Sequence, residues 1–242
     1  MPNITQAFIF AAGRGERMKP ITDSIPKPLV TINNKALIDY IIEKLDKIPE
    51  IKKIIINGFY LADQIETHIQ KLNNPKIIFS KEIEKIETGG GLVFAQDKID
   101  FNKPLLMFNS DVLSPEGVSD IQMICDNWDP ENHDILLGLK KTEEFPGYNG
   151  KGDFNLDSKK LFKRADKSMS HVFTGIQIIN PQIIKKAPKQ CFSMSYFYHL
   201  ALKDDGMLNR VQGIELNNSY FHVGDVESIK KTEDSLNLIT SN

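Results

Sequence analysis

Two aspartates stand where a hard cation could be held. Asp111 follows the apolar run Leu105-Leu106-Met107-Phe108, and Asp225 follows the β-type run Tyr220-Phe221-His222. A carboxylate at the mouth of a buried strand is desolvated on one side and can offer its oxygens to magnesium, which takes one or two carboxylates and completes its shell with phosphate oxygens and water. Each alone also reads as a helix cap, Asp111 ahead of Ser114-Pro115-Glu116 and Asp225 ahead of a final helix beginning near Val226. Two such residues far apart in the chain are what a two-carboxylate site requires.

Phosphate chemistry is suggested by three further segments. Ala11-Ala12-Gly13-Arg14-Gly15-Glu16-Arg17-Met18-Lys19-Pro20 follows the first β-type run, and its small residues let successive backbone N–H groups form an anion-binding nest. In Pro26-Lys27-Pro28-Leu29 two prolines stiffen the backbone around a lysine, a candidate phosphate clamp. Glu87-Thr88-Gly89-Gly90-Gly91 opens a helix, where three glycines suit close approach to something flat or charged, such as a base or a sugar. A dinucleotide fingerprint would need glycine at Met18 and an acid where Asn57 ends the second strand, and a phosphate-loop Gly-Lys-Ser/Thr ending is missing, so both readings lose.

Other chemistries find little support. His68, His133, His171, His199 and His222 show no ligand spacing and read as structural or surface residues. There is no Gly-x-Ser-x-Gly elbow, and Cys125 and Cys191 are isolated, so neither covalent catalysis nor a disulfide framework is expected. Lys plus Arg numbers 30 against 32 for Asp plus Glu, a net charge of −2, which argues against a general nucleic-acid binder and makes any anion site local. The only apolar run near the start is Ala7–Ala12; no signal peptide, membrane partner or membrane span is expected, and the setting is read as cytoplasmic.

Positioning these residues requires strands that end where they begin. Strands are expected at Gln6–Phe10, Lys53–Asn57, Lys76–Ser80, Pro104–Phe108 and Asp134–Lys140. Between them helices are expected at Ala36–Ile48, Leu61–Leu72, from the glycines to about Lys98, and at Val118–Asn127. That alternation predicts an α/β fold with a mostly parallel sheet. The second half adds short strands at Asp153–Leu156, Leu161–Lys163 and Val172–Ile179, a helix start at Asn180-Pro181, and a last helix with Val226, Ile229, Leu236 and Ile239 as one stripe. One domain over 1–242 is expected, and ligands should bind beyond the carboxyl ends of its strands.

The residues Ala11-Ala12-Gly13-x-Gly15-x-Arg17-Met18-x-Pro20-x-Thr22 with Pro26-Lys27-Pro28-Leu29 resemble the signature of the sugar-1-phosphate nucleotidyltransferases. The likeness continues through Glu87–Gly91, Asn109-x-Asp111-Val112, Gly152-Asp153-Phe154, Phe173-Thr174-Gly175-Ile176 and Val223-Gly224-Asp225, nearly the whole chain. Short length and the Glu-Thr-Gly-Gly-Gly and Gly-Asp-Phe elements are most similar to the branch using UTP and N-acetylmuramate 1-phosphate in peptidoglycan recycling. The mannose-1-phosphate guanylyltransferases come next, and heptose 1-phosphate is a further alternative. The resemblance implies a single Rossmann-like domain with a mixed, mostly parallel sheet, nucleotide over about 1–115 and sugar over about 116–242. It implies a monomer or simple homodimer acting on a nucleoside triphosphate and a sugar 1-phosphate.

Carried over residue by residue, Ala11, Ala12, Gly13, Gly15, Thr88 and Gly89 would contact the nucleotide, and Arg17 and Lys27 its phosphates. Asp111 and Asp225 would hold Mg2+, while Asn109, Asp153 and Thr174 would face the sugar. Ser110, Lys19 and Ala36 depart from the family's usual glycine, arginine and proline without removing a needed charge. A non-catalytic protein that binds nucleotide sugars is the alternative of another class.

Overall fold

The computed structural model describes residues 4–148, 150–156, 162–163, 169–188, 191–198 and 210–240. The first half runs β1 (Gln6–Phe10), a ribbon of β2 (Thr31–Ile32) and β3 (Lys35–Ala36), α1 (Leu37–Asp46), β4 (Lys53–Gly58), α2 (Ala62–Lys71), β5 (Ile77–Lys81) and α3 (Glu87–Phe94). Next come β6 (Leu105–Asn109), β7 (Val112–Leu113), α4 (Ser119–Asp126) and β8 (Ile135–Lys141). The rest comprises β9 (Asn155–Leu156), β10 (Phe162–Lys163), β11 (His171–Ile179), β12 (Val211–Glu215), β13 (Phe221–His222) and α5 (Val226–Thr240).

Seven strands form one mixed sheet in the order β12-β8-β11-β6-β1-β4-β5. Strands β6, β1, β4 and β5 are mutually parallel, β11 runs antiparallel to both β6 and β8, and β12 is parallel to β8. All five residues of β1 are buried because both faces of the sheet are covered, the condition that makes parallel strands continuous apolar runs. Ala7 and Ile9 enter the core with α1, α2 and α4, while Phe8 and Phe10 enter the opposite core with Leu92 and Phe192, as a side-chain period of two demands.

From β1 the chain builds β4 and β5 to one side and then crosses to β6 on the other, so the strand order reverses between β1 and β6. A sheet opens a crevice at such a switch point, and the loops beyond β1 and β6 are the Gly-rich segment and Ser110-Asp111. Phe10 pairs with Asn109 in register, and the Ser110 N–H donates to the Phe10 carbonyl at 3.3 Å, so the two loops leave the sheet side by side.

Several elements differ in detail from expectation. The helix expected to reach Lys98 ends at Phe94 and is followed by a separate 3-10 turn over Gln96–Lys98. Asn180 does start a helical segment, its side chain accepting from the Gln182 N–H at 3.1 Å, but the six residues Pro181–Lys186 form a 3-10 helix. Asp153 lies before β9: its N–H and that of Phe154 both donate to His171 O, and Phe154 forms only an isolated antiparallel bridge with His171. Leu161 lies outside the described residues. On α5 the Ile239 side chain lies outside the described residues; Leu236 of the expected stripe is buried and Ile229 partly covered, but Val226 is 43% exposed and the other buried positions are Ser228 and Thr232. The reason is local: Ser228 must face Asp225 to cap the helix. Among the described residues no helix is long and apolar enough to cross a membrane.

Candidate active site

The crevice is an open cavity of about 420 Å3. Ala12, Gly13, Gly15 and Arg17 line one wall, Lys27 and Pro28 its base, Thr88 the α3 side, and Asn109, Ser110 and Asp111 the β6 side. Eight of the residues expected at the site therefore meet here: Ala12, Gly13, Gly15, Arg17, Lys27, Thr88, Asn109 and Asp111. Gly15 has φ +67°, and a Cβ there would lie 3.0 Å from both Lys27 Cβ and Thr22 Cγ2, so this turn admits only glycine comfortably. Thr22 Oγ1 donates to Gly15 O at 2.8 Å and fixes the turn over the lysine.

Lys27 sits in a single 3-10 turn, Lys27–Leu29, with Pro26 before it. It is buried, and its ammonium donates to Asp111 Oδ2 at 2.8 Å. His222 Nε2 lies 3.7 Å from the same oxygen. Burial works against a charge on Asp111, but Lys27 and His222 hold its carboxyl well below the usual carboxylate range. His222 reaches this place because β13 pairs with β7, setting His222 opposite Val112, and the Val223 N–H donates to Asp111 O at 2.9 Å.

Asp225 serves a different neighbour. Its Oδ1 accepts from the Ser228 N–H at 2.9 Å, its own N–H donates to Ser228 Oγ at 3.1 Å, and it thereby caps α5. The Ser228 amide lowers the Asp225 pKa despite some desolvation, and the Arg17 guanidinium adds to the effect. Neither Asp225 nor His222 lines the cavity, although Asp111 and Gly224 do.

A divalent cation is compatible with this surface. Among the cavity-lining side chains Arg14, Arg17, Lys27 and Lys85 are balanced by Glu16, Glu82, Glu87 and Asp111, four of each sign, so the wall alone offers a polyanion no excess of positive charge. Asp111 supplies carboxylate oxygen, the donor magnesium prefers, and such an ion asks the protein for only one or two carboxylates. No group of three or more His, Cys, Asp or Glu gathers among the described residues, and none is needed for that mode.

Four other expected residues lie off the cavity. Ala11 is buried and its N–H donates to Asn57 Oδ1 at 2.8 Å. Gly89 packs on Phe192: its N–H donates to Phe192 O at 2.9 Å, and a Cβ would fall 2.3 Å from Phe192 Cε2. Asp153 accepts from the Phe173 N–H at 2.9 Å and from Tyr148 Oη at 3.3 Å. Thr174 is buried in a bulge of β11, where its Oγ1 donates to Gly138 O at 2.9 Å. It lines, with Asn109, a small separate cavity of about 20 Å3.

Asn57 and Glu82 also belong to the site, although Asn57 entered the sequence argument only as a missing acid and Glu82 not at all. Asn57 Nδ2 donates to Glu82 Oε1 at 2.6 Å, and Glu82 N–H donates to Gly58 O at 2.8 Å. The result is a polar relay from the end of β1 across β4 to the end of β5. Glu82 is 5% exposed, and burial raises its pKa against the opposing Asn57 hydrogen bond. A Cβ on Gly91 would lie 2.5 Å from Glu82 Oε1 and 2.6 Å from Asn57 Nδ2, so α3 can approach the pair only through glycine. The available signal was position: both residues stand at the carboxyl ends of parallel strands.

The family model for nucleotidyl transferases matches residues 6–149, the stretch that builds β1, the Gly-rich loop, Lys27, α3 and Asp111. The chain belongs to the nucleotidyl transferase family. N-acetylmuramate alpha-1-phosphate uridylyltransferase of Caulobacter vibrioides is 33% identical over 230 residues, covering 92% of this chain and 93% of that protein. The mannose-1-phosphate guanylyltransferase catalytic subunit beta of Dictyostelium discoideum is 27% identical over 86% of this chain and 58% of its own length. The solved inositol-1-phosphate CTP transferase of T. maritima superposes with a TM-score of 0.76 at 15% identity, covering 96% of this chain and 94% of that one, which is a likeness of fold. This nucleotidyltransferase is thus an enzyme of the sugar-1-phosphate superfamily, with the cavity at its switch point.

Proposed function

We propose that this nucleotidyltransferase moves a nucleoside monophosphate from a nucleoside triphosphate to a sugar 1-phosphate, with UTP and N-acetylmuramate 1-phosphate as the substrate pair. The observation supporting the pair is the near full-length match to the Caulobacter enzyme. A guanylyl transfer to mannose 1-phosphate is the second reading, favoured by the more distant Dictyostelium relative, with a heptose 1-phosphate as a further alternative acceptor. A cytoplasmic role in peptidoglycan recycling accompanies the first pair.

A phosphate oxygen of the sugar 1-phosphate attacks the α-phosphorus of the triphosphate and pyrophosphate leaves. The attacking oxygen is ionised near neutral pH, so no general base is required, and the enzyme's tasks are positioning and neutralising two anions that repel. The Ala12–Gly15 backbone presents N–H groups to the phosphates, Arg17 meets them at the cavity rim, and Lys27 can turn from Asp111 toward them. Asp111 is the first residue proposed to hold Mg2+, with Asp225 the second expected from sequence; the ion would supply Lewis-acid polarisation of phosphate oxygens. Asn109 lines both the main cavity and the small cavity beside Thr174, and is the residue proposed to meet the sugar.

The test is a matrix of four nucleoside triphosphates against the 1-phosphates of N-acetylmuramate, N-acetylglucosamine, mannose and heptose, reading pyrophosphate. The expected maximum is UTP with N-acetylmuramate 1-phosphate. A maximum with GTP selects the second reading, and no pyrophosphate from any pair refutes transfer.

A further inference from the structure

Asp111 faces an imidazole, and Asp225 faces a helix end. His222 Nε2 lies 3.7 Å from Asp111 Oδ2, the oxygen that also accepts from Lys27 Nζ at 2.8 Å, so a shared ion requires that ammonium to turn away. Two donors bound to one ion at about 2.1 Å each stand about 3.0 Å apart when adjacent and about 4.2 Å apart when opposite, so the His222–Asp111 spacing falls within what a shared ion accepts. Three features hold it: the His222–Val112 register of β13 on β7, the Val223 N–H to Asp111 O bond at 2.9 Å, and the His222 N–H donated to Pro146 O at 3.2 Å. Gly224 leaves the ring its room, since a Cβ there would lie 2.4 Å from His222 Cε1. Asp225, in contrast, has Oδ1 committed to the Ser228 amide and its carbonyl to the Ser228 hydroxyl at 2.6 Å.

We infer that the divalent cation of the proposed transfer is held by Asp111 together with the His222 imidazole, with Asp225 left to cap α5. The inference rests on the nucleotidyl-transfer reading only for the presence of a cation. One nitrogen donor in place of a second carboxylate shifts preference from magnesium toward manganese, cobalt and zinc, because imidazole suits borderline metals and carboxylate suits hard ones.

Mn2+ alone is the probe, titrated into the full chain and followed by electron paramagnetic resonance, with spin-echo modulation reporting nitrogen bound to the ion. The wild type is expected to show nitrogen-14 coupling. His222→Ala abolishes the coupling and weakens Mn2+ binding by about tenfold or more. His222→Asp recovers binding without nitrogen coupling and moves the Mg2+-to-Mn2+ affinity ratio about tenfold toward Mg2+. Asp225→Thr, which keeps a capping oxygen, retains both the coupling and the affinity. Absence of nitrogen coupling in the wild type overturns the inference, as does Mn2+ affinity that survives His222→Ala but is lost in Asp225→Thr. Pyrophosphate release without nitrogen coupling defeats this inference and leaves transfer standing. Nitrogen-coupled Mn2+ with no pyrophosphate from any substrate pair leaves the metal site standing and defeats transfer.

Discussion

Replacing Lys27 by Met, Asp111 by Asn, and both together isolates the interaction at the base of the cavity. The ammonium and carboxylate are 2.8 Å apart, with side-chain exposures of 11% and 29%. At an effective dielectric of about 20, unit charges at that 2.8 Å separation attract by about 6 kcal/mol. Much of this is offset by desolvation of two partly buried ions, which leaves an expected coupling of about 1–3 kcal/mol. The single substitutions should not be equal. Lys27→Met leaves Asp111 beside His222 and open to some solvent, whereas Asp111→Asn leaves the more deeply buried lysine facing a neutral amide. Asp111→Asn should therefore lose more stability, and the double variant less than the two losses added.

Urea unfolding at pH 7 without added metal measures all four corners of the cycle, provided the m-values agree. Kinetics supply the second reading. Asp111→Asn is expected to lower turnover by about a hundredfold or more, while Lys27→Met raises the triphosphate KM with a smaller loss of turnover. Additive stability losses, within about 0.3 kcal/mol, would refute the ion-pair reasoning. Wild-type turnover in Asp111→Asn at limiting magnesium would remove that residue from the chemistry.

Two further outcomes concern packing and burial. Gly89→Ala should destabilise the enzyme although a helix interior favours alanine by about 1 kcal/mol, because overpacking against a ring 2.3 Å from the new Cβ costs about 1–3 kcal/mol. The expected net loss of up to about 2 kcal/mol lowers Tm by as much as roughly 4–8 °C. Phe192→Leu in the same chain should recover most of that loss, and a raised Tm in the single variant would contradict the packing. Lys44 has its pKa pushed by burial from 10.5 down to about 8, against the pull of Glu116 and Asp120. Between those values the unfolded chain binds a proton that the folded one releases, so wild-type stability should rise with pH across the interval. Lys44→Met should be more stable at pH 7 by about 1–3 kcal/mol and lose that advantage by about pH 10.5; equal stability at pH 7 would show that the ammonium is adequately solvated.

The parallel half of the fold was legible because each strand of it is an apolar run between helical periods. Gln6–Phe10 was expected and observed with the same bounds, and Lys53–Gly58 differed by one residue. The position of the crevice was legible for the same reason, since strand ends in an open sheet converge at the switch point. What local sequence did not reveal was which neighbours a residue meets across the sheet. Lys27 could be seen as stiffly presented between two prolines, but its burial depends on Asp111, 84 positions later. The three consecutive glycines were correctly read as sites of close approach, yet the flat object against Gly89 is Phe192 and the charged one against Gly91 is Glu82.

The two strand-end aspartates show what separates a helix cap from a carboxylate that faces the crevice. Both were followed by helix-entry residues and so looked alike, but α4 does not begin until Ser119, and Asp111 leads directly into β7 instead. With no helix to receive it, its carboxylate turns into the crevice toward Lys27. Asp225 is followed immediately by α5, and Ser228 stands three positions on, where its amide needs an acceptor and its hydroxyl can return a bond. The helix claims that carboxylate, while the short ribbon that precedes it delivers His222 to Asp111. A histidine with no ligand spacing in sequence can thus gain a partner through one β-bridge, so the absence of an HxxxH pattern says little about sites assembled from distant strands.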